Sequence, residues 1–463
     1  MQVAMKNAQE TICAVATPPG MGGIGVIKIS GPEACAVPGR IFRSSKAVTA
    51  FRSHRLYHGF VVNPETGQTI DEVLLVVMRA PFTYTCEDVV EIQTHSSMAA
   101  INSILEQVLK LGIRAAEPGE FTRRAFLNGR IDLTQAEAVI DLIKSKTEKG
   151  LSLATHQMEG TLSEVVQRVR KSLIRILAQI EAMIDFPEDM EDENFADAEA
   201  ALTAGVISPL KDLLGKYDTG HLFREGVEII IIGRPNVGKS SLLNSFLRKE
   251  RAIVTSVPGT TRDIIEEGLS IKGIPTRIID TAGLHPTSDM VESAGIQFTK
   301  KRLSCADLIL FILDISELLT PEDFSIFNEI RARKKIIVAN KVDLVRAWSA
   351  KEISQHLCAT DIVEISARFN TGIDRLVDVI YETITGSREM APPSVAPNLR
   401  HKRAIERALA GGQAALSLMN EEESPALIAI ELQEELDALG EITGETTSHE
   451  ILDEIFSRFC IGK

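Results

Sequence analysis

Glu228-Ile229-Ile230-Ile231-Ile232-Gly233-Arg234-Pro235-Asn236-Val237-Gly238-Lys239-Ser240 is the stretch that decides the fold. Four successive isoleucines leave no polar face, so the run reads as a strand buried on both sides, as in a parallel sheet. It enters a glycine directly. After Ser240 and Ser241, Leu242, Leu243, Phe246 and Leu247 recur at helical spacing. The intervening loop matches GxxxxGK[ST] in the strand–loop–helix setting that gives this pattern its meaning. Its glycines, Gly233 and Gly238, let backbone N–H groups, that of Val237 included, close on phosphates, and the helix N-terminus favours negative charge. Lys239 is expected to reach the β and γ phosphates and the Ser240 hydroxyl to bind Mg2+.

Strands and helices alternate outward from this point to about residue 385, with strand candidates at Thr276–Ile279, Leu308–Leu313, Lys335–Ala339 and Val363–Ile365. That alternation predicts a doubly wound α/β domain. Asp280-Thr281-Ala282-Gly283 follows one strand, so Asp280 is placed to hold magnesium through water and the Gly283 N–H to sense the γ-phosphate. Gly259-Thr260-Thr261-Arg262-Asp263 lies between, and one of its threonines is expected to bind magnesium only with triphosphate present, as a switch loop does. Asn340-Lys341-Val342-Asp343 follows another strand. The Asp343 carboxylate accepts from the N1–H and amino group of guanine, a donor pair that adenine lacks. Ser366-Ala367 then offers a backbone N–H to the guanine oxygen. The expected ligand is GTP.

Leu284 stands where small signalling GTPases carry a water-orienting glutamine. Another group must position the water, and another positive charge must meet the transition state. The Asn236 amide oxygen is placed to coordinate a monovalent cation beside the phosphates, and the oxygen-rich loop Thr255–Arg262 to complete its shell. Glu292, or Asp289 near it, is the candidate base.

The 463 residues call for two or three domains, and 44% hydrophobic with 25% charged residues is globular composition. No apolar run is long enough to cross a bilayer, and the N-terminus lacks a secretory pattern. Six scattered cysteines without metal-site spacing fit a reducing cytoplasm. A net charge of −14 argues against sequence-blind nucleic-acid binding. Residues 1–127 mix short β-like runs (Ile24–Ile29, Val73–Val77, Val89–Ile92) with a helix near Met98–Leu111, an α+β domain. Residues 128–220 are helical, with apolar positions from Leu162 to Ile184 marking one long amphipathic helix that ends at Asp185-Phe186-Pro187. Residues 221–385 form the nucleotide domain. Residues 386–463 begin with a proline-rich linker and continue as helices Leu399–Leu418, Ala426–Leu439 and His449–Phe459, the last capped by Thr447 with Glu450. The nucleotide domain is thus an insertion between helical segments.

The P-loop GRPNVGKSSLLN with VPGTTRD, DTAGL and NKVD resembles the potassium-activated GTPases. Thr17-Pro18-Pro19-Gly20, the stretch Pro118-Gly119-Glu120-Phe121-Thr122-Arg123-Arg124-Ala125-Phe126-Leu127-Asn128-Gly129, Ile184-Asp185-Phe186-Pro187-Glu188 and the terminal Phe459-Cys460-Ile461-Gly462-Lys463 resemble the tRNA-modification GTPases of the MnmE (TrmE) family over essentially the whole chain. The resemblance implies a homodimer through an N-terminal domain that binds 5-formyl-tetrahydrofolate or a related folate, and GTPase domains activated when two of them meet. It implies potassium on Asn236, Thr255, Val257 (backbone) and Thr260, magnesium on Ser240 and Thr261, catalysis by Glu292 with Lys239 and Asn236, and folate contacts from Lys28, Glu91, Arg130 and Lys463. It implies an FAD-containing partner, MnmG, and an aminomethyl-type group added at carbon 5 of the wobble uridine of certain tRNAs. Two departures stand out. Thr94-His95-Ser96-Ser97 replaces a GHGG-like turn, and Lys28 and Arg130 sit where the opposite basic residue is common, an exchange that alters recognition of planar or carboxylate groups. Cys460, on the stripe Ile451, Leu452, Ile455, Phe456, Phe459, reads either as a small buried hydrophobe or as a thiol of the folate and tRNA site. The competing functions are a ribosome-assembly GTPase and a regulatory switch without modification chemistry.

Overall fold

A computed structural model describes residues 10–18, 20, 22–186, 195–249, 252–253, 266–280, 306–357, 362–386 and 389–463. The chain divides into two units, Met1–Ile140 with Ser163–Val206 and Arg407–Lys463, and Asp141–Leu162 with Ile207–Glu406.

The first unit is built on seven strands, β1 (Ile12–Val15), β2 (Ile24–Ser30), β3 (Phe42–Ser44), β4 (Arg55–Val62), β5 (Thr69–Met78), β6 (Val89–His95) and β7 (Arg114–Ala115), in the order β3-β4-β5-β6-β2-β1-β7. Alternation of side chains divides the sheet into two faces. Ile27 and Ile29, Val73, Leu75 and Val77, and Val90 and Ile92 point inward, where Ile101, Ile104 and Val108 of the helix Met98–Lys110 meet them. The other face carries Lys28 and Glu91, which pair directly across β2 and β6. β4 pairs closely with β3 because residue 59 is glycine: a Cβ there would meet the Arg43 carbonyl at 2.4 Å.

The long amphipathic helix runs Thr161–Asp185, burying Leu162, Val166, Val169, Leu173, Ile176 and Ile180. Helices Leu399–Asn420, Pro425–Thr443 and His449–Ser457 follow the linker. The last helix is capped differently from the sequence expectation. Its N-cap is Ser448, and the Thr447 hydroxyl instead donates to the Glu441 carbonyl at 3.0 Å.

The second unit holds β8 (Val227–Ile232), β9 (Ala252–Ile253), β10 (Glu266–Ile271), β11 (Ile274–Asp280), β12 (Leu308–Asp314), β13 (Lys335–Asn340) and β14 (Ile362–Glu364), ordered β14-β13-β12-β8-β11-β10-β9. Five of these strands are parallel. β10 is antiparallel to both β11 and β9, so the sheet is mixed at that edge. The isoleucine run is explained by two cores: Ile229 and Ile231 enter one cluster, Ile230 and Ile232 the other. β8 is the middle strand of the seven, and each buried side chain of this size contributes about 1.5–3 kcal/mol. Among the described residues no helix is long and apolar enough to cross a membrane.

Candidate functional site

The loop after β8 is shaped by backbone conformations that few residues adopt. Gly233 has φ 152° and Gly238 φ 103°, and Asn236 is left-handed at φ 64°, a region asparagine tolerates better than most residues. A Cβ on Gly233 would meet the Ile312 carbonyl at 2.4 Å, and one on Gly238 would meet Asn340 Nδ2 at 2.2 Å. The loop is therefore pressed against β12 and β13, and it delivers the chain into the helix Lys239–Lys249, whose first N–H groups have no intrahelical partner. Lys239 is almost fully buried, with Nζ donating to the carbonyls of Gly233 and Arg234 at 2.8 Å each. Ser240 and Ser241 open the helix. A cationic side chain, a helix N-terminus and a glycine-bounded loop suit a polyphosphate. Arg234 turns away, its Nε bonded to the fully buried Asp323 at 2.8 Å.

Asn340, at the end of β13, ties two loops together. Its Nδ2 donates to the Val237 carbonyl at 2.8 Å, and its Oδ1 accepts from the Ala367 N–H at 3.0 Å. Lys341 is left-handed at φ 69°, with Nζ 2.5 Å from Asp314 Oδ2. Burial pushes the Asp314 carboxyl up, but bonds from Lys341 and Ser316 outweigh it and hold the group below the usual range. Asp343 Oδ1 accepts from the Ser366 hydroxyl at 2.5 Å, which fixes the carboxylate's orientation. The Ser366 N–H donates to the Thr371 carbonyl and the Ala367 N–H to Asn340, so the amides the sequence offers to the guanine oxygen have protein partners in this arrangement. Ser245 Oγ donates to the Ala367 carbonyl at 2.8 Å, anchoring the same loop on the helix that begins at Lys239.

Asp280 ends β11, beside β8. Thr255, Val257, Thr260, Thr261, Thr281, Ala282, Gly283, Leu284, Asp289 and Glu292 lie outside the described residues.

In the first unit, two of the four residues assigned to folate, Lys28 and Arg130, lie against the Tyr84 ring, which the sequence reading missed, and the other two, Glu91 and Lys463, bear on Lys28. Lys28 Nζ lies 3.9 Å from Glu91 Oε1 and 5.5 Å from the centres of the Tyr84 and Phe121 rings. The Arg130 guanidinium stacks 4.9 Å from the same Tyr84 ring, and its Nη1 donates to the Tyr84 carbonyl at 3.0 Å. Burial lowers the Lys28 ammonium, Glu91 opposes this, and the charge of Lys463 lowers it further, leaving it below the ordinary lysine value. Lys463 is brought there by the terminal turn: the Cys460 carbonyl accepts from Lys463 and from Gly119, and Gly462 lies so close to β1 that a Cβ would meet the Val15 carbonyl at 2.5 Å. Cys460 itself is exposed, not a core residue.

The Pro118–Gly129 signature supports this ring from below. Arg124 is buried between Glu87 and Glu120, at 3.0 Å from each, and Arg114 meets Glu120 at 2.7 Å. Burial pushes the Glu120 carboxyl up, and the two arginines with the Glu117 N–H bring it below its usual range. Asn128 Nδ2 donates to the Thr85 carbonyl at 2.6 Å. The loop bearing Tyr84 is thus held by side chains of the signature.

The second unit contains a P-loop GTPase domain, and the first has no such loop among its described residues. Two family models match: "GTP-binding protein TrmE N-terminus" over residues 11–130 and "MnmE helical domain" over residues 133–460. A "tRNA modification GTPase MnmE" of Natranaerobius thermophilus is 45% identical over 457 residues, covering 98% of this chain and 100% of the relative. That of Carboxydothermus hydrogenoformans is 46% identical over 461 residues, with 98% and 100% covered. Among solved structures, Era of Aquifex aeolicus is 29% identical with a TM-score of 0.28, covering 40% of this chain and 66% of that one. The chain belongs to the tRNA modification GTPase MnmE family.

Proposed function

We propose that this chain is a potassium-dependent, dimerisation-activated GTPase that works with an FAD-containing partner, MnmG, to modify carbon 5 of the wobble uridine in certain tRNAs, using a tetrahydrofolate one-carbon unit. As a member of its family it is a GTPase acting in tRNA modification. The observation that carries the finer reading is the placement of Lys28 and Arg130 against Tyr84, with Glu91 and the charge of Lys463 bearing on Lys28, which would give a planar, partly anionic ligand such as a folate a ring to stack on and cations to pair with. The reading places the protein in the cytoplasm.

In the GTPase domain, Lys239 and the N–H groups of the loop after β8 would hold the phosphates, Ser240 and Thr261 the magnesium, and Asp343 the guanine edge. The Ala367 N–H would have to be shared between Asn340 and the guanine oxygen. Asn236, left-handed in that loop, would present its amide oxygen to potassium, with Thr255, Val257 and Thr260 completing the shell. Bound there, the cation supplies the positive charge that an arginine finger supplies elsewhere. Glu292 would position the attacking water. Mass spectrometry of tRNA nucleosides from cells lacking the chain tests the reading: 5-substituted wobble uridines are expected to disappear and to return with the wild-type gene. Unchanged uridines would favour the ribosome-assembly or regulatory alternative.

A further inference from the structure

The left-handed residue of the phosphate loop is held from both sides. Asn236 has φ 64°, a backbone conformation that non-glycine residues keep mainly where their surroundings impose it. On its C-terminal side the hold is the bond from Asn340 to the Val237 carbonyl. On its N-terminal side Pro235 has no N–H, so the backbone offers no matching donor. The Arg234 side chain supplies the hold instead. Its Nε donates to Asp323 Oδ1 at 2.8 Å, and Nη2 lies 3.4 Å from Glu317 Oε2. The Arg234 carbonyl accepts from Lys239 Nζ at 2.8 Å, so this one residue joins Lys239 to a fixed point outside the loop.

That fixed point is Asp323, in the first turn of the helix Pro321–Glu329. The helix is packed on a core that β8 enters: Phe327 lies 6.2 Å from Phe311 between ring centres, in the same cluster as Ile230 and Ile232. Asp323 is fully buried, and its two oxygens serve different groups. Oδ2 accepts from the Thr320 N–H at 2.9 Å and from the Thr320 hydroxyl at 3.0 Å, which closes the helix N-terminus. Oδ1 is left for Arg234. In a reciprocal cap of this kind glutamine serves as well as glutamate, so an acceptor is needed and a charge is not. A buried carboxylate is costly unless a cation pairs with it. The charge at Asp323 is therefore explained by Arg234 and not by the helix. The pairing with exposed Glu317 adds little.

We propose that Arg234 is a positioning residue for GTP hydrolysis: its pair with Asp323 holds the segment Arg234–Asn236, and with it the carbonyl that steers Lys239 and the left-handed turn that orients Asn236. Arg234 acts through those two residues and not on the phosphates. The assignment rests on the reading that Lys239 and Asn236 serve the transition state. Groups set in advance need no reorganisation at the moment of reaction, so a small displacement of them costs rate. Binding in the ground state depends on the N–H groups from Val237 onward and on the helix N-terminus, which lie beyond the Asn340 bond and survive the loss of Arg234.

The test compares the full chain with a variant carrying Arg234→Met and Asp323→Asn, which removes the pair, leaves no buried charge and keeps an acceptor for the cap. Hydrolysis is followed by phosphate release, affinity for GDP and for GDP with aluminium fluoride (a mimic of the transferring phosphoryl group) by calorimetry, and folding by thermal unfolding. The variant should lose at least about tenfold in kcat and a similar factor in affinity for the mimic, while KM and the Kd for GDP stay within about threefold. A wild-type kcat would overturn the assignment, and so would a GDP affinity that falls in parallel with kcat. Should the variant not fold, Arg234→Lys decides, because it keeps a charge beside Asp323 without the forked geometry. A several-fold lower kcat at unchanged GDP affinity then supports the role, and a wild-type kcat overturns it. An Asn236→Ala protein with the wild-type rate would overturn the underlying reading, a result distinct from any outcome in the Arg234 variants.

Discussion

Asn340 Nδ2 donates to the Val237 carbonyl at 2.8 Å while the same side chain accepts from Ala367, so one amide joins the phosphate loop to the loop proposed to read the base. Replacing it by alanine leaves a buried carbonyl and a buried N–H unpaired, at about 1–3 kcal/mol each. Asn340→Ala should weaken GTP binding by at least about tenfold by calorimetry, with GDP affected similarly, because both loops serve the diphosphate as well. Loss of affinity for the triphosphate alone would place Asn340 in a switch and not in the frame.

We propose that specificity for guanine lies with Asp343, whose carboxylate accepts from the Ser366 hydroxyl. Asp343→Asn replaces one acceptor by a donor. It should lower affinity for GTP by about 100-fold, the scale of a lost charged hydrogen-bond pair, and raise affinity for xanthosine triphosphate, whose C2 oxygen accepts where guanine donates. Unchanged preference for GTP would locate base recognition elsewhere.

The cation proposal separates binding from turnover. Hydrolysis should run much faster in K+ than in Na+ at equal ionic strength, and Asn236→Ala should remove that difference while GTP still binds. Equal rates of the wild-type protein in the two salts would reject a cation at Asn236.

A different prediction concerns stability. Glu435 is fully buried against Gly412, where a Cβ would lie 2.8 Å from its Oε1, and neither carboxyl oxygen has a hydrogen-bond partner among the described residues. Burial raises its pKa from 4.5 to about 8. The folded chain therefore keeps a proton that the unfolded chain releases near 4.5, and stability drains away as pH rises from there through about 8. Glu435→Gln, a neutral isostere, should raise the midpoint of thermal unfolding more at pH 8.5 than at pH 5. An equal gain at both values would show that Glu435 does not carry the proton.

The strand, loop and helix around Lys239 were legible because one unbroken apolar run, one glycine pattern and one helical period coincide within a short stretch. β9 and β10 were not read: β9 is two residues long, and Glu266–Ile271 has no sustained alternation to mark it. Lys28, Glu91, Arg130 and Lys463 came from resemblance, since residues so far apart in sequence carry no local signal of nearness. Tyr84 lay hidden for a related reason. It sits in a loop without periodicity, and its role depends on what Arg130 and Lys28 place over it. Of the buried ion network of Arg124, Glu87 and Glu120, only Glu120 and Arg124 were visible, as part of a signature, because charges on a short helix ordinarily face water, and Glu87 was not read.

The central claim is that nucleotide chemistry at Lys239 serves tRNA modification, and it is tested most directly in cells whose only copy of the chain carries Lys239→Ala. Mass spectrometry of their tRNA should find the 5-substituted wobble uridines missing, although the variant protein accumulates to normal levels. Wild-type amounts of those nucleosides would contradict the account.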